Sequence, residues 1–145
     1  QRNELADGGF ERCGHHLVLD EVDVPLCAIA CETDHIAPWK DSYRGVQQMG
    51  STDKTFIMTQ SGHIAGIVNP PSKGKYGHYT NQDLSLSYED WQAGAEFTAG
   101  SWWPRWEAWL TERSGEMIPA RIPGEGGKEI LCDAPGTYVA VKARG

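Results

Sequence analysis

The chain has 145 residues, 39% hydrophobic and 23% charged, a composition that fits one ordinary folded domain and not a disordered segment. Twenty acidic against thirteen basic residues leave a net charge of −7, which argues against a nucleic-acid or anionic-membrane surface, because both need clustered Lys and Arg. No apolar run approaches the ~20 residues that cross a bilayer, the polar start QRNELADGG lacks the apolar centre of an export signal, and Cys13, Cys27, Cys31 and Cys132 form no CxxC pair, so the cysteines read as reduced thiols in a cytoplasmic protein.

The first 23 residues read as a lead-in loop with a short strand at Phe10 to Cys13. Leu17, Val18 and Leu19 have the character of a packing patch. His15-His16 has no further ligand group at suitable spacing and reads as surface decoration, so no metal site is expected. Val24 to Cys31, VPLCAIAC, is a near-continuous apolar run, as expected of a strand covered on both faces. Cys27 and Cys31, four apart, fall on one face of it as small core residues. The strand runs out into Glu32-Thr33-Asp34-His35.

Pro38 opens a helix that reaches Met49, with Trp39, Tyr43 and Val46 recurring at helical spacing toward the sheet. Gly50-Ser51 ends it. Thr55 to Thr59 is a second buried strand, stopped at Ser61-Gly62 with His63 immediately beyond. Strand, crossover helix and parallel strand make a right-handed βαβ unit. Asp34 and His63 then lie on the same rim, past the carboxyl ends of adjacent strands, where open α/β sheets put catalytic groups. An acid followed by a histidine on the last two strands is the chain order of an α/β-hydrolase triad without its nucleophile.

Ser72 to Asn81 reads as a polar loop. Its Lys73 and Lys75 are solvated charge, or, near an active-site rim, contacts for a phosphate-bearing substrate. Ser87 has the position of an N-cap for a helix from Tyr88 to Phe97 that presents Trp91 and Ala95. Ser101 caps a second helix, Trp102 to Arg113, on which Trp102, Trp106, Trp109 and Leu110 share one side and Trp103 lies off it. These tryptophans form either an aromatic box for a ligand or, the simpler reading, a face buried on the sheet or on another subunit. Glu116 to Lys128 reads as a Gly- and Pro-rich linker, and Glu129 to Cys132 and Thr137 to Val141 as two short terminal strands. The expected organisation is 1–23 lead-in, 24–118 βαβ unit with two late helices, and 119–145 linker with short strands.

Six segments in register carry a resemblance. Asn3, Leu5, Gly8 and Gly14 form one. Glu32-Thr33-Asp34-His35-Ile36-Ala37-Pro38-Trp39 is an acid motif, and Ser61 to Pro71, SGHIAGIVNPP, a histidine motif. Trp91 to Ala95, Gly100 to Pro104 and Ala134 to Val139 complete the set. Along its whole length the chain resembles the carboxy-terminal part of the class I poly(3-hydroxyalkanoate) synthases.

That resemblance implies an α/β class and the C-terminal portion of an α/β-hydrolase fold. It implies polymerisation of (R)-3-hydroxyacyl-CoA into polyester, with coenzyme A entering as part of the substrate and no separate cofactor. A cysteine in a G-x-C-x-G turn would attack the acyl thioester and hold the growing chain. His63 would be its general base. Asp34 would be the triad acid, with a further part in activating the attacking 3-hydroxyl, and His35 would stand behind them in a structural role. The chemistry agrees with the residues, since a thiol becomes a strong nucleophile only on deprotonation, and the imidazole needs a carboxylate to set its tautomer. No G-x-C-x-G occurs in this sequence, so the nucleophile is expected upstream of Gln1 and the chain alone is expected to be inactive. The family also implies work at a polyester granule surface. A two-stranded sheet with both edges open would favour a homodimer. The competing functions are another α/β-hydrolase, such as an esterase or lipase, and a non-catalytic module that binds granules or a partner through its tryptophans.

Overall fold

A computed structural model describes residues 2–142. They divide into two units, one running to Ser114 and one beginning at Gly115.

The first unit is an α/β arrangement around a mixed sheet. A hairpin of β1 (Glu11–Arg12) and β2 (His15–His16) leads in. The sheet proper follows: β3 (Leu26–Cys31), α1 (Trp39–Gln48), β4 (Lys54–Thr59), β5 (His78–Thr80), α2 (Tyr88–Ala93), β6 (Glu96–Thr98), and then α3 (Trp103–Thr111). Strand order is β3-β4-β5-β6. β3 and β4 run parallel, from Leu26 opposite Lys54 to Cys31 opposite Thr59, and the other pairs are antiparallel.

The strand–helix–strand unit forms because its two apolar periods match. Trp39, Tyr43 and Val46, spaced by four and three, lie on one side of α1 and are buried. They meet Phe56 and Met58, which share a face of β4 by the two-residue alternation of strands, together with Ala30 and Trp91. Tyr43, Phe56 and Trp91 close on one another edge-on or tilted, with ring centroids 5.2–5.5 Å apart, the geometry aromatic quadrupoles favour. Ile57 and Thr59 point to the opposite face of β4 and are buried there. Ser87 caps α2: its hydroxyl accepts the Asp90 backbone N–H at 3.1 Å.

Three expectations for the first unit need correction. Ser72 to Asn81 is not loop throughout, because His78–Thr80 pairs with β4. The helix that Ser87 opens ends at Ala93 rather than Phe97. Gly94 terminates it, and Glu96–Thr98 forms β6, where Phe97 packs its ring on Tyr79 at 5.1 Å. The sheet therefore has four strands, and β5 covers the edge of β4 that a two-stranded sheet would have left open.

In the second unit, Glu129 to Cys132 and Thr137 to Val141 are not strands. Tyr138–Ala140 is a single 3-10 turn, and the remaining described residues are turns and irregular chain. Leu131 and Tyr138 are exposed. A strand needs a neighbouring ladder to satisfy its backbone, and within this unit none forms among the described residues. No helix among the described residues is long and apolar enough to cross a membrane.

Candidate active site

The carboxyl ends of β3 and β4 bring two loops side by side. Beyond the ladder, the Glu32 N–H donates to Thr59 O at 2.8 Å and the Thr33 N–H to Ser61 O at 3.1 Å. The parallel register is thereby carried one step past the last paired residues. Asp34 and His63, three and four residues beyond Cys31 and Thr59, are brought together: His63 Nδ1 lies 2.8 Å from Asp34 Oδ2.

Asp34 is held by its own turn. Its Oδ1 accepts the backbone N–H groups of Ile36 at 2.8 Å and Ala37 at 2.9 Å, the local turn that an Asp side chain makes with its own downstream backbone. The Ala37 N–H, then the bond to His63, then the Ile36 N–H hold its carboxyl down to about 2. Asp34 is therefore ionised at neutral pH and can only accept. His63 Nδ1 must carry the proton in this pair, which leaves Nε2 of the neutral ring as a lone-pair acceptor. The side chain of Asp34 is 6% exposed and that of His63 is 48% exposed. A carboxylate fixed behind a half-exposed imidazole is an arrangement that can serve as a general base, with Nε2 as the accepting atom.

The histidine loop is shaped from both sides. Ser61 sits at φ 74°, in the left-handed region, which costs a non-glycine residue roughly 1–2 kcal/mol. Gln60 holds the turn in place: its N–H donates to Gly77 O at 2.9 Å, and its Oε1 accepts the Gly77 N–H at 2.7 Å. After His63 the backbone coils through one turn, with Gly66 N–H to Gly62 O and Val68 N–H to Ile64 O. Gly66 must be glycine. A β-carbon there would stand 2.7 Å from Cys31 Sγ and 2.8 Å from Gln60 O. Buried Asn69 closes the loop, its amide donating to the carbonyls of Lys75 and Tyr76.

A hollow of about 180 Å³ opens at the pair, lined by Cys31, Asp34, Ala37, Ser42, His63 and Ile67 among others. Cys31 therefore reaches the site, which its place in an apolar strand did not suggest. Burial, and then the charge of Asp34, push its thiol up, the reverse of what a nucleophile needs. Cys27 is half-buried, and Cys13 and Cys132 are exposed. His35, placed in the same turn as Asp34, is exposed and makes no side-chain hydrogen bond among the described residues. Lys73 and Lys75 are exposed in the loop that leads into β5.

Spacing puts Trp102 on one face of the late helix and Trp103 off it. They prove to be the indole donors to this loop, Trp102 Nε1 to Gly66 O and Trp103 Nε1 to Ile67 O, each at 3.0 Å. Nothing in spacing foretells this, since the indole N–H finds its acceptor 36 residues away.

No protein-family model matches the chain. It is 44% identical over 142 residues to a poly(3-hydroxyalkanoate) polymerase of Methylorubrum extorquens, covering 97% of this chain and 23% of that protein. It is 39% identical over 141 residues to the poly(3-hydroxyalkanoate) polymerase subunit PhaC of Rhizobium meliloti, covering 97% and 23%. Against the corresponding subunit of Cupriavidus necator it is 39% identical over 145 residues, covering 98% and 24%. The chain is thus homologous, over nearly all its length, to a segment of these polymerases, and it spans about a quarter of the length of the curated relatives it matches.

Proposed function

We propose that this chain is the carboxy-terminal part of the catalytic domain of a poly(3-hydroxyalkanoate) polymerase, an acyltransferase of α/β-hydrolase fold, and that it supplies the base and acid of the catalytic group. The observation that carries the reading is the 2.8 Å His63–Asp34 pair on adjacent parallel strand ends, in a chain homologous to those polymerases.

In the proposed reaction, a cysteine from another part of the polymerase loses its proton to His63 Nε2. The thiolate attacks the thioester carbonyl of a 3-hydroxyacyl-CoA, the carbon–sulfur bond to coenzyme A breaks, and the imidazolium returns its proton to the departing thiolate. The acyl group is left on the cysteine. The 3-hydroxyl of a further acyl unit then gives its proton to His63, with Asp34 behind the ring, and its oxygen attacks an acyl thioester carbonyl; the carbon–sulfur bond of that thioester breaks, the departing thiolate takes the proton back from the imidazolium, and one ester bond is added to the chain. Asp34 stabilises the imidazolium at each stage. Coenzyme A arrives with the substrate, so the chemistry calls for no other cofactor.

The rim suits the acyl and polyester part of the substrate. Ile36, Ile64 and Val68 are exposed on the two loops that carry Asp34 and His63. Attachment at a polyester granule and homodimerisation belong to this proposal. β3 ends the sheet with its outer edge unpaired among the described residues, and the remainder of the polymerase is the partner we assign to it.

The test is acyl-CoA turnover by the full-length polymerase carrying this segment, followed as release of free coenzyme A. His63→Ala is expected to abolish it while leaving the melting temperature within a few degrees. Wild-type turnover by a folded His63→Ala enzyme would overturn the assignment.

A further inference from the structure

Among the described residues, the His63 side chain makes one hydrogen bond, to Asp34. Its ring position therefore depends on the backbone of its own loop, and beyond the bonds already described that backbone is held by side chains at two consecutive carbonyls. Gly66 O accepts two donors at once, Thr59 Oγ1 at 3.2 Å and Trp102 Nε1 at 3.0 Å. Ile67 O accepts Trp103 Nε1 at 3.0 Å.

The donors are themselves anchored. Thr59 is the last residue of β4 and is fully buried. Trp102 is 7% exposed, and its ring packs edge-on to Trp103 and Trp106. The backbone N–H of Trp103 donates to Ser101 Oγ at 3.1 Å, which fixes the start of α3. One residue earlier, Gly100 O pairs with Nδ1 of buried His78 in β5 at 3.2 Å. Burial pushes the His78 imidazole down, so it is neutral and donates that bond. A continuous run of bonds thus joins the sheet, through Gly100 and the two indoles, to the coil that follows His63.

We propose that Trp102 and Trp103 are positioning residues for the reaction at His63: their indole N–H groups clamp the carbonyls of Gly66 and Ile67 and so hold the imidazole in line with Asp34. The inference rests on the polymerase reading and names two residues acting through another. The two bonds differ in setting. That of Trp102 is buried and shares its acceptor with Thr59, whereas that of Trp103 lies at the surface and is, among the described residues, the sole side-chain bond to Ile67 O. Each fixes a different peptide, so removing one leaves a partial clamp and removing both leaves Gly66 O held by Thr59 alone.

The experiment uses the full-length polymerase and replaces Trp by Phe, which retains an aromatic ring and deletes the N–H. In Trp102→Phe/Trp103→Phe, kcat is expected to fall roughly 10- to 100-fold, the scale of a base displaced by a fraction of an ångström. KM should stay within about twofold, because the substrate is bound by other groups. Trp106→Phe is the control: it packs on Trp102 at 5.9 Å but makes no bond to the loop, and its kcat should stay near wild type. Wild-type kcat in a folded double variant would overturn the clamp, and so would an equal loss in Trp106→Phe. Should the double variant fail to fold, Trp103→Phe alone carries the test, with a drop in kcat expected and an unchanged kcat refuting. His63→Ala in the same series separates the two ideas: if it retains turnover, the polymerase assignment of the site falls, and the clamp with it. If it is dead while the folded Trp variants are fully active, the clamp alone falls.

Discussion

Gly66→Ala probes the histidine loop with one added methyl group. The new carbon would stand 2.7 Å from Cys31 Sγ, 2.8 Å from Gln60 O and 3.1 Å from Gly62 O. Ordinary van der Waals separations are about 3.5–4.0 Å between carbons, so the first two contacts are short by well over half an ångström. Cys31 can yield little, being almost wholly buried on β3. Gln60 O is backbone and cannot rotate away. The loop must therefore move, and it carries His63 on one side and the Trp102 and Trp103 bonds on the other. Overpacking of this kind costs about 1–3 kcal/mol, which lowers Tm. Turnover in the full-length polymerase should fall further than stability does, by about 10- to 100-fold, because the base is displaced from Asp34. Adding Cys31→Ala removes the sulfur contact and should recover part of the Tm while Gln60 O still presses. Calorimetry and coenzyme A release on the same samples decide the matter. A Gly66→Ala enzyme with wild-type Tm and wild-type turnover would refute the packing argument outright.

Asp34→Asn keeps an oxygen for the Ile36 and Ala37 N–H groups but turns the atom facing His63 into a donor, which forces the proton onto Nε2. A loss in kcat of about 10⁴-fold is expected by analogy with other acid–histidine pairs, with the fold intact by circular dichroism; a loss under tenfold would contradict the tautomer argument. The same carboxyl predicts an acid dependence. Its value falls from 3.8 to about 2 on folding, so its stabilisation is complete above pH ~3.8 and disappears as pH drops through about 2. The stability gap between wild type and Asp34→Asn, followed by denaturant titration, should narrow across that window and stay constant above it. Trp91→Ala empties the centre of the aromatic cluster and is expected to cost about 3–5 kcal/mol, read as a fall in the unfolding midpoint; a cost under 1 kcal/mol would mean that Trp91 is not the keystone its full burial implies.

Much of the first unit was legible in local patterns. Trp39, Tyr43 and Val46 announce the buried side of α1 by spacing alone, and Ser87 announces the start of α2 by the bond its hydroxyl makes three residues on. The neighbouring positions of Asp34 and His63 were legible too, because a short parallel crossover leaves adjacent strand ends little choice but to share a rim. The reading failed where pairing decides. His78–Thr80 and Glu96–Thr98 are only three residues each, too short for alternation to register, and they are strands because β4 offers its edge to the first and the first to the second. Glu129 to Cys132 has the apolar content of a strand and lacks a ladder among the described residues.

By itself, then, the sequence determined which groups could react, where the two apolar periods lie, and that an acid and a histidine end successive strands. Tertiary structure alone decided that the sheet has four strands, that Cys31 borders the pair, and that two indoles hold the loop. Periodicity is a property of neighbours along the chain, whereas a hydrogen bond from Trp102 to a carbonyl 36 residues away exists only once folding has brought both there.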